Sequence, residues 1–245
     1  MHIDFGDRDC RIVDLSHTLS SEMPMTVPFG HVTWLDMKKG DFTHANCLFM
    51  GEHHGTHVDA PGHLLEDGGG MWIESLPLEQ FMGPCCVIHA EDKGPGGELT
   101  EDDILNWEGE HGTLAAGDMV LCHFGWDRMW QVPSPAQHFT VGKASYYRNW
   151  PGLIPETARL LQSRKIKFVG TDAPSIDTYR LAGPPDPEPS HPILQLGASK
   201  IIIGEGLTNL GELPPRGAYF MALPVKIKNG TGAPVRAVAF VPQVL

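Results

Sequence analysis

The stretch that most constrains this chain is His53-His54-Gly55-Thr56-His57-Val58-Asp59-Ala60-Pro61-Gly62-His63. Four of its eleven residues are histidine and one is aspartate. Neutral imidazoles and a carboxylate are the ligands a borderline divalent cation takes. In a straight strand His53 and His57 would share a face but stand roughly 13 Å apart, at about 3.3 Å per residue. Two ligands of one ion, each about 2.1 Å from it, lie only roughly 3–4 Å from each other. A helix brings i and i+4 together, yet Gly55, Thr56, Val58 and Pro61 are poor helix formers. The segment therefore reads as a bent loop or strand end. Gly55 permits the sharp turn, the Thr56 hydroxyl can fix it, and Pro61 stiffens the exit toward His63. On this reading His53, His57 and Asp59 converge on one ion. His63 stands beside them, free to move protons, and His54 points away as a non-ligand.

Such a loop needs a scaffold. With 245 residues, 41% of them hydrophobic, the chain can bury a substantial core, and it reads as one domain over 1–245. A net charge of −12 disfavours a nucleic-acid partner and an anionic membrane surface. The five cysteines, at 10, 47, 85, 86 and 122, have no framework spacing and read as reduced thiols. Met1–Phe5 lacks the features of a secretion signal, and no apolar run reaches spanning length. A cytoplasmic location is the expectation.

Twenty-eight Gly and 21 Pro, spread along the chain, predict many short strands joined by tight turns. Strands are expected over 11–15, 43–50, 84–90, 119–124, 166–170, 200–204 and 235–241. The strand over 43–50 leads into the histidine loop. A helical turn is expected within 77–83, and helices after the Thr100 cap and over 155–164, where apolar spacing is three and four. The Pro-rich stretch 183–189 reads as an exposed excursion. Strands outnumber helices, so the class is α/β.

The pattern H-x-G-T-H-x-D-x-P-x-H over 53–63 resembles the signature of the metal-dependent cyclase family, which includes bacterial kynurenine formamidases and isatin hydrolases. Asp14-Leu15-Ser16-His17 with Pro24, Gly68-Gly69 through Gly83-Pro84, Gly170-Thr171-Asp172-Ala173-Pro174-Ser175-Ile176-Asp177, Leu223–Ile227 and Gly232–Ala237 resemble further segments of that family, nearly end to end. The resemblance implies a swivelling β/β/α fold and a homodimer or homotetramer whose partner loops help wall the site. It also implies a second ion, bridged by Asp59 and completed by His191 and Glu205, as in the formamidase branch. One ion, as in the isatin hydrolase branch, is the alternative.

Zn²⁺ is the favoured ion and Mn²⁺ the other candidate. Such an ion makes hydroxide available near neutral pH and polarises a carbonyl, and His63 can deliver a proton to the leaving group. These parts predict hydrolysis of a small-molecule amide. An aryl formamide comes first, then a cyclic amide, imide or lactone, with a non-catalytic metal-binding protein as the competing class. Trp72, His123, Trp126, Trp130 and Ser175 are candidate substrate contacts, since indole faces suit flat aromatic molecules. Asp172 and Asp177 are candidates to orient metal-bound histidines.

Overall fold

The computed structural model describes residues 9–24, 29–130, 145–179 and 189–243. In chain order its strands are β1 (Cys10–Asp14), β2 (Gly30–Leu35), β3 (Ala45–Phe49), β4 (His57–Asp59), β5 (Met82–His89), β6 (Glu98–Leu99), β7 (Met119–His123), β8 (Gly152–Leu153), β9 (Phe168–Thr171), β10 (Ile202–Glu205), β11 (Arg216–Met221), β12 (Gly232–Pro234) and β13 (Val238–Pro242). The α-helices among the described residues are α1 (Glu101–His111), α2 (Pro155–Ser163) and α3 (Ser190–Leu196).

Nine strands form one sheet in the order β1-β13-β11-β5-β7-β9-β10-β4-β12. Its centre, β5-β7-β9-β10, is parallel. Parallel neighbours need a crossover, and α1, α2 and α3 each supply one. The outer strands run antiparallel. The central strands read as apolar runs because both faces are covered. Cys86, Ile88, Val120, Cys122, Val169 and Ile203 pack under the helices with Ile104, Trp107, Leu161 and Leu194. Their alternates Cys85, Val87, Met119, Leu121, Phe168 and Ile202 form a second core with Leu15, Phe81 and Phe220. The mixed α/β architecture is the one expected.

Local chemistry sets the ends. Thr100 accepts from the Asp103 N–H while the Asp103 carboxylate accepts from the Thr100 N–H; such a cap contributes about 1 kcal/mol. Pro155 opens α2 at its first turn, where the missing N–H costs nothing.

Two features differ from the sequence expectation. The strand over 43–50 forms but, among the described residues, pairs only with β2, in a hairpin outside the main sheet. Trp34, Phe42 and Phe49 around this hairpin are exposed. α3 was not expected: Ser190 and His191 begin a helix directly after Pro189, whose extended backbone sets its start. Apart from Pro189, the stretch 183–189 lies outside the described residues.

Candidate metal centre

The parallel strands point their carboxyl ends to one side, the place where open α/β sheets form binding crevices. β10 ends there with Glu205. β4 runs antiparallel beside it, so its first residue, His57, pairs with Glu205 and its last, Asp59, with Ile203. Register alone thus sets an imidazole against a carboxylate.

The bend before β4 forms as its residues suggest. Gly55 takes a left-handed φ of +64°, which favours glycine. The Thr56 hydroxyl donates to the Gly206 carbonyl at 2.5 Å and accepts from the His17 N–H at 2.9 Å. Gly206 also has φ +62°, and a Cβ there would meet the Gly55 carbonyl at 2.7 Å. Gly232 leaves room for His53, since its Cβ would come 2.7 Å from the ring. Pro61 begins a single 3-10 turn over Pro61–His63 that lifts His63 to the exposed rim.

Asp59, 1% exposed, lies at the centre. Its Oδ1 is 2.5 Å from His53 Nδ1 and 3.4 Å from His57 Nε2, and its Oδ2 is 3.2 Å from His191 Nε2. Glu205 straddles the same two sides: Oε2 is 3.4 Å from His57 Nε2 and Oε1 is 3.7 Å from His191 Nδ1. Oε1 also accepts from the Ile176 N–H. Asp177 accepts from the His191 backbone N–H and so anchors the start of α3. The donors fall into two overlapping groups with Asp59 in common: His53–His57–Asp59 and Asp59–His63–His191. His54 is buried and belongs to neither.

These residues fit a divalent cation. The Gly55 carbonyl can only accept, so His57 Nδ1, 3.0 Å away, carries a proton and Nε2 is left facing the carboxylates. His57 Nε2 and His191 Nε2 are buried without a well-formed hydrogen bond. Each such orphan costs roughly 1–3 kcal/mol, and one or two cations beside Asp59 would satisfy both. The electrostatics agree. Burial alone would lower the pKa of His57, but Asp59 and Glu205 outweigh it and raise it to about 9. His191 is raised to about 9 by Asp59, Glu205 and Asp177, against the same burial. Burial pushes the Asp59 carboxyl up, yet His191, His53 and His57 hold it well below the usual range. The pocket demands positive charge, and protons or a metal can supply it.

A cleft of about 190 Å³ opens onto the cluster, lined by His53, Gly55, His57, Trp130, Tyr146, Tyr147, Pro174, Glu205 and Gly206. Trp130 stacks on His17 with ring centroids 4.0 Å apart. Of the other substrate-contact candidates, none stands on this wall. Trp126 turns inward and its indole N–H donates to the Tyr146 carbonyl. Trp72 lies across Gly62 and Gly68, bracing the loop from behind. Ser175 accepts from the Asp177 N–H and shapes that turn. His123 sits beside His89 and Glu91. Asp172 reaches no histidine of the Asp59 cluster; it accepts from the Phe124 and Trp126 N–H groups, and burial pushes its carboxyl up to about 8. Tyr146 and Tyr147 went unnoticed in the sequence, where an adjacent pair outside any periodic element carries no signal.

The family model described as putative cyclase matches residues 13–178. An isatin hydrolase from Roseibium aggregatum is 32% identical over 209 residues, covering 83% of this chain and 77% of that protein. A kynurenine formamidase from Salinibacter ruber is 31% identical over 212 residues, covering 84% and 85%. The crystal structure of an isatin hydrolase bound to the product analogue thioisatinate superposes with a TM-score of 0.84 at 28% identity, covering 96% of this chain and 94% of the other. A match of this extent, over a range that includes the histidine-rich loop, places the chain in the putative cyclase family, among its hydrolases.

Proposed function

We propose that the chain is a metal-dependent amidohydrolase that cleaves a small aromatic amide, an aryl formamide first. The observation that carries this reading is the pair of buried carboxylates, Asp59 and Glu205, each facing His57 on one side and His191 on the other. His53, His57 and Asp59 would hold one cation, with Glu205 Oε2 also facing His57 Nε2, and Asp59 and His191 a second through His191 Nε2. A cation held there polarises a scissile carbonyl and makes hydroxide available near neutral pH.

The chain's own groups do the rest. Asp59, fixed between three imidazoles, keeps the charge of the site. The Gly55 carbonyl and Asp177 hold His57 and the start of α3 in place, the arrangement that orients metal-binding histidines. His63, its ring 4.2 Å from that of His53, is exposed beside the cluster. Partial burial lowers its pKa; Asp59 opposes this, and His53 and His191 lower it further. Its imidazole is thereby biased toward the neutral form, able to take a proton and pass it to the leaving nitrogen. Trp130, Tyr146 and Tyr147 offer an aromatic wall for a flat substrate.

A second reading, opening of a cyclic amide, is favoured by the superposition on an isatin hydrolase. Purified protein assayed on an aryl formamide and on isatin, with Zn²⁺ or Mn²⁺ and after chelation, tests both. Turnover that chelation removes is expected, with the formamide faster. His63→Ala should keep the metal held by His53, His57 and Asp59 and lose about 10²–10⁴-fold in turnover. No turnover of any formamide, lactam or lactone with either ion would overturn the reading. The exposed Trp34, Phe42 and Phe49 support a homo-oligomer that covers the β2–β3 hairpin, which sedimentation would reveal.

A further inference from the structure

We propose a second, separate cation site at the carboxyl ends of β5 and β7, formed by His89, Glu91 and His123 and suited to a borderline divalent ion such as Zn²⁺ or Co²⁺. It shares no residue with the Asp59 cluster and is independent of the hydrolase reading.

The register builds it. β5 and β7 are parallel, and their last residues, His89 and His123, are cross-strand partners. The two rings meet edge to face at 87°, with Nδ1 3.1 Å from Nδ1. Glu91, two residues beyond His89, brings Oε1 to 3.1 Å from the same His123 Nδ1. Ligand atoms about 2.1 Å from a tetrahedral ion are roughly 3.4 Å apart; the two contacts to His123 Nδ1 already stand near that spacing, and the third pair lies within 4.8 Å.

Protons alone serve this arrangement poorly. If His123 Nδ1 carries hydrogen, one N–H faces two acceptors and cannot point at both. If it does not, its lone pair faces the Glu91 carboxylate. A shared cation resolves both contacts at once. The remainder of the site also suits a metal. His123 is buried and its ring is seated against Gly211, where a Cβ would come 2.9 Å from Cε1. Its other nitrogen, Nε2, faces Asp172 Oδ2 at 4.0 Å, and the Asp172 carboxyl is itself fixed by the Phe124 and Trp126 N–H groups. His89 and Glu91 are exposed, which gives solvent a path and leaves a position for water. Arg128, whose Nε donates to the Gly125 carbonyl, still places positive charge near His123 and opposes an ion there, while Glu91 and Asp127 favour one. Donors of two imidazoles and one carboxylate select Zn²⁺-like ions over Mg²⁺ or Ca²⁺. An ion here would tie β5 to β7 and stabilise the fold by mass action.

The test is Co²⁺ binding to the chelator-stripped full chain, followed by visible absorption and elemental analysis. The wild type is compared with the double variant His89→Ala/Glu91→Ala, whose changes are at the surface, and circular dichroism checks the fold of both. The wild type should take up one Co²⁺ per chain more than the double variant, and its melting temperature should rise with Co²⁺ by more. The same difference should persist when both carry Asp59→Asn. Equal uptake, equal absorption and equal thermal shifts in the two proteins would overturn the proposal, whatever the catalytic assay shows.

Discussion

The two histidine clusters sit at the same end of the sheet and differ in the carboxylates beside them. At the end of β10, Asp59 and Glu205 are 1% and 6% exposed, and they raise His57 and His191 to about 9. At the end of β7, the Glu91 side chain is 44% exposed, and burial lowers the pKa of His123 despite it. Imidazoles are present in both, so imidazoles alone do not set the demand for positive charge. A carboxylate withdrawn from water does, because its field is less screened. On the proposed reading the first cluster would hold a cation tightly and the second loosely.

The largest effect should come from Asp59→Asn, which removes the charge that both halves of the first cluster share. Breaking a buried charge arrangement costs on the order of 3–5 kcal/mol, so elemental analysis should show the first cluster emptied while Co²⁺ uptake at His89 is unchanged. Equal loss at both places would erase the distinction drawn here.

A smaller effect is expected from pH. His57 and His191 have raised pKa values in the folded protein, so their protons stabilise the metal-free fold fully below about pH 6.5. That contribution fades as pH rises through about 9. A metal must displace these protons, so its apparent affinity at the first cluster should climb by roughly tenfold per pH unit per displaced proton across that window. At the second cluster, where the His123 pKa is lowered, affinity should stay nearly flat over the same range. Competition titrations against a chelator measure both slopes, and two flat profiles would contradict the charge argument.

The smallest effect should follow Thr56→Val. The hydroxyl joins the Gly206 carbonyl to the His17 N–H, and losing it leaves buried groups unsatisfied at a cost of about 1–3 kcal/mol. Thermal unfolding should show the loss, with metal affinity falling at the first cluster and not at the second.

Much of the fold and the first cluster is legible in the sequence. The loop 53–63 announced its bend through Gly55 and Pro61, and the apolar runs at 119–124 and 200–204 announced the central strands, because burial on both faces leaves a local mark. The resemblance pointed to Glu205 and His191, and the structure brings His191 against Asp59 and Glu205 against His57. What stayed hidden depends on distant partners. α3 is seven residues long, contains Pro192 near its start and follows a Pro-rich stretch, so no helical period could declare it. Trp72 and Trp126 have the composition of a binding wall, yet composition does not say which way an indole turns; Gly62 and Gly68 receive one ring and the helix-side core the other. His89 and His123 are 34 residues apart and meet only through strand register.

The most direct test of the central claim is an anomalous-scattering map from crystals grown with Zn²⁺ and recorded on both sides of the zinc edge. The account predicts a peak about 2.0–2.2 Å from the imidazole nitrogens of His53 and His57 and from an oxygen of Asp59. A map with no zinc among those three side chains, and their hydrogen bonds closed on one another instead, would contradict it.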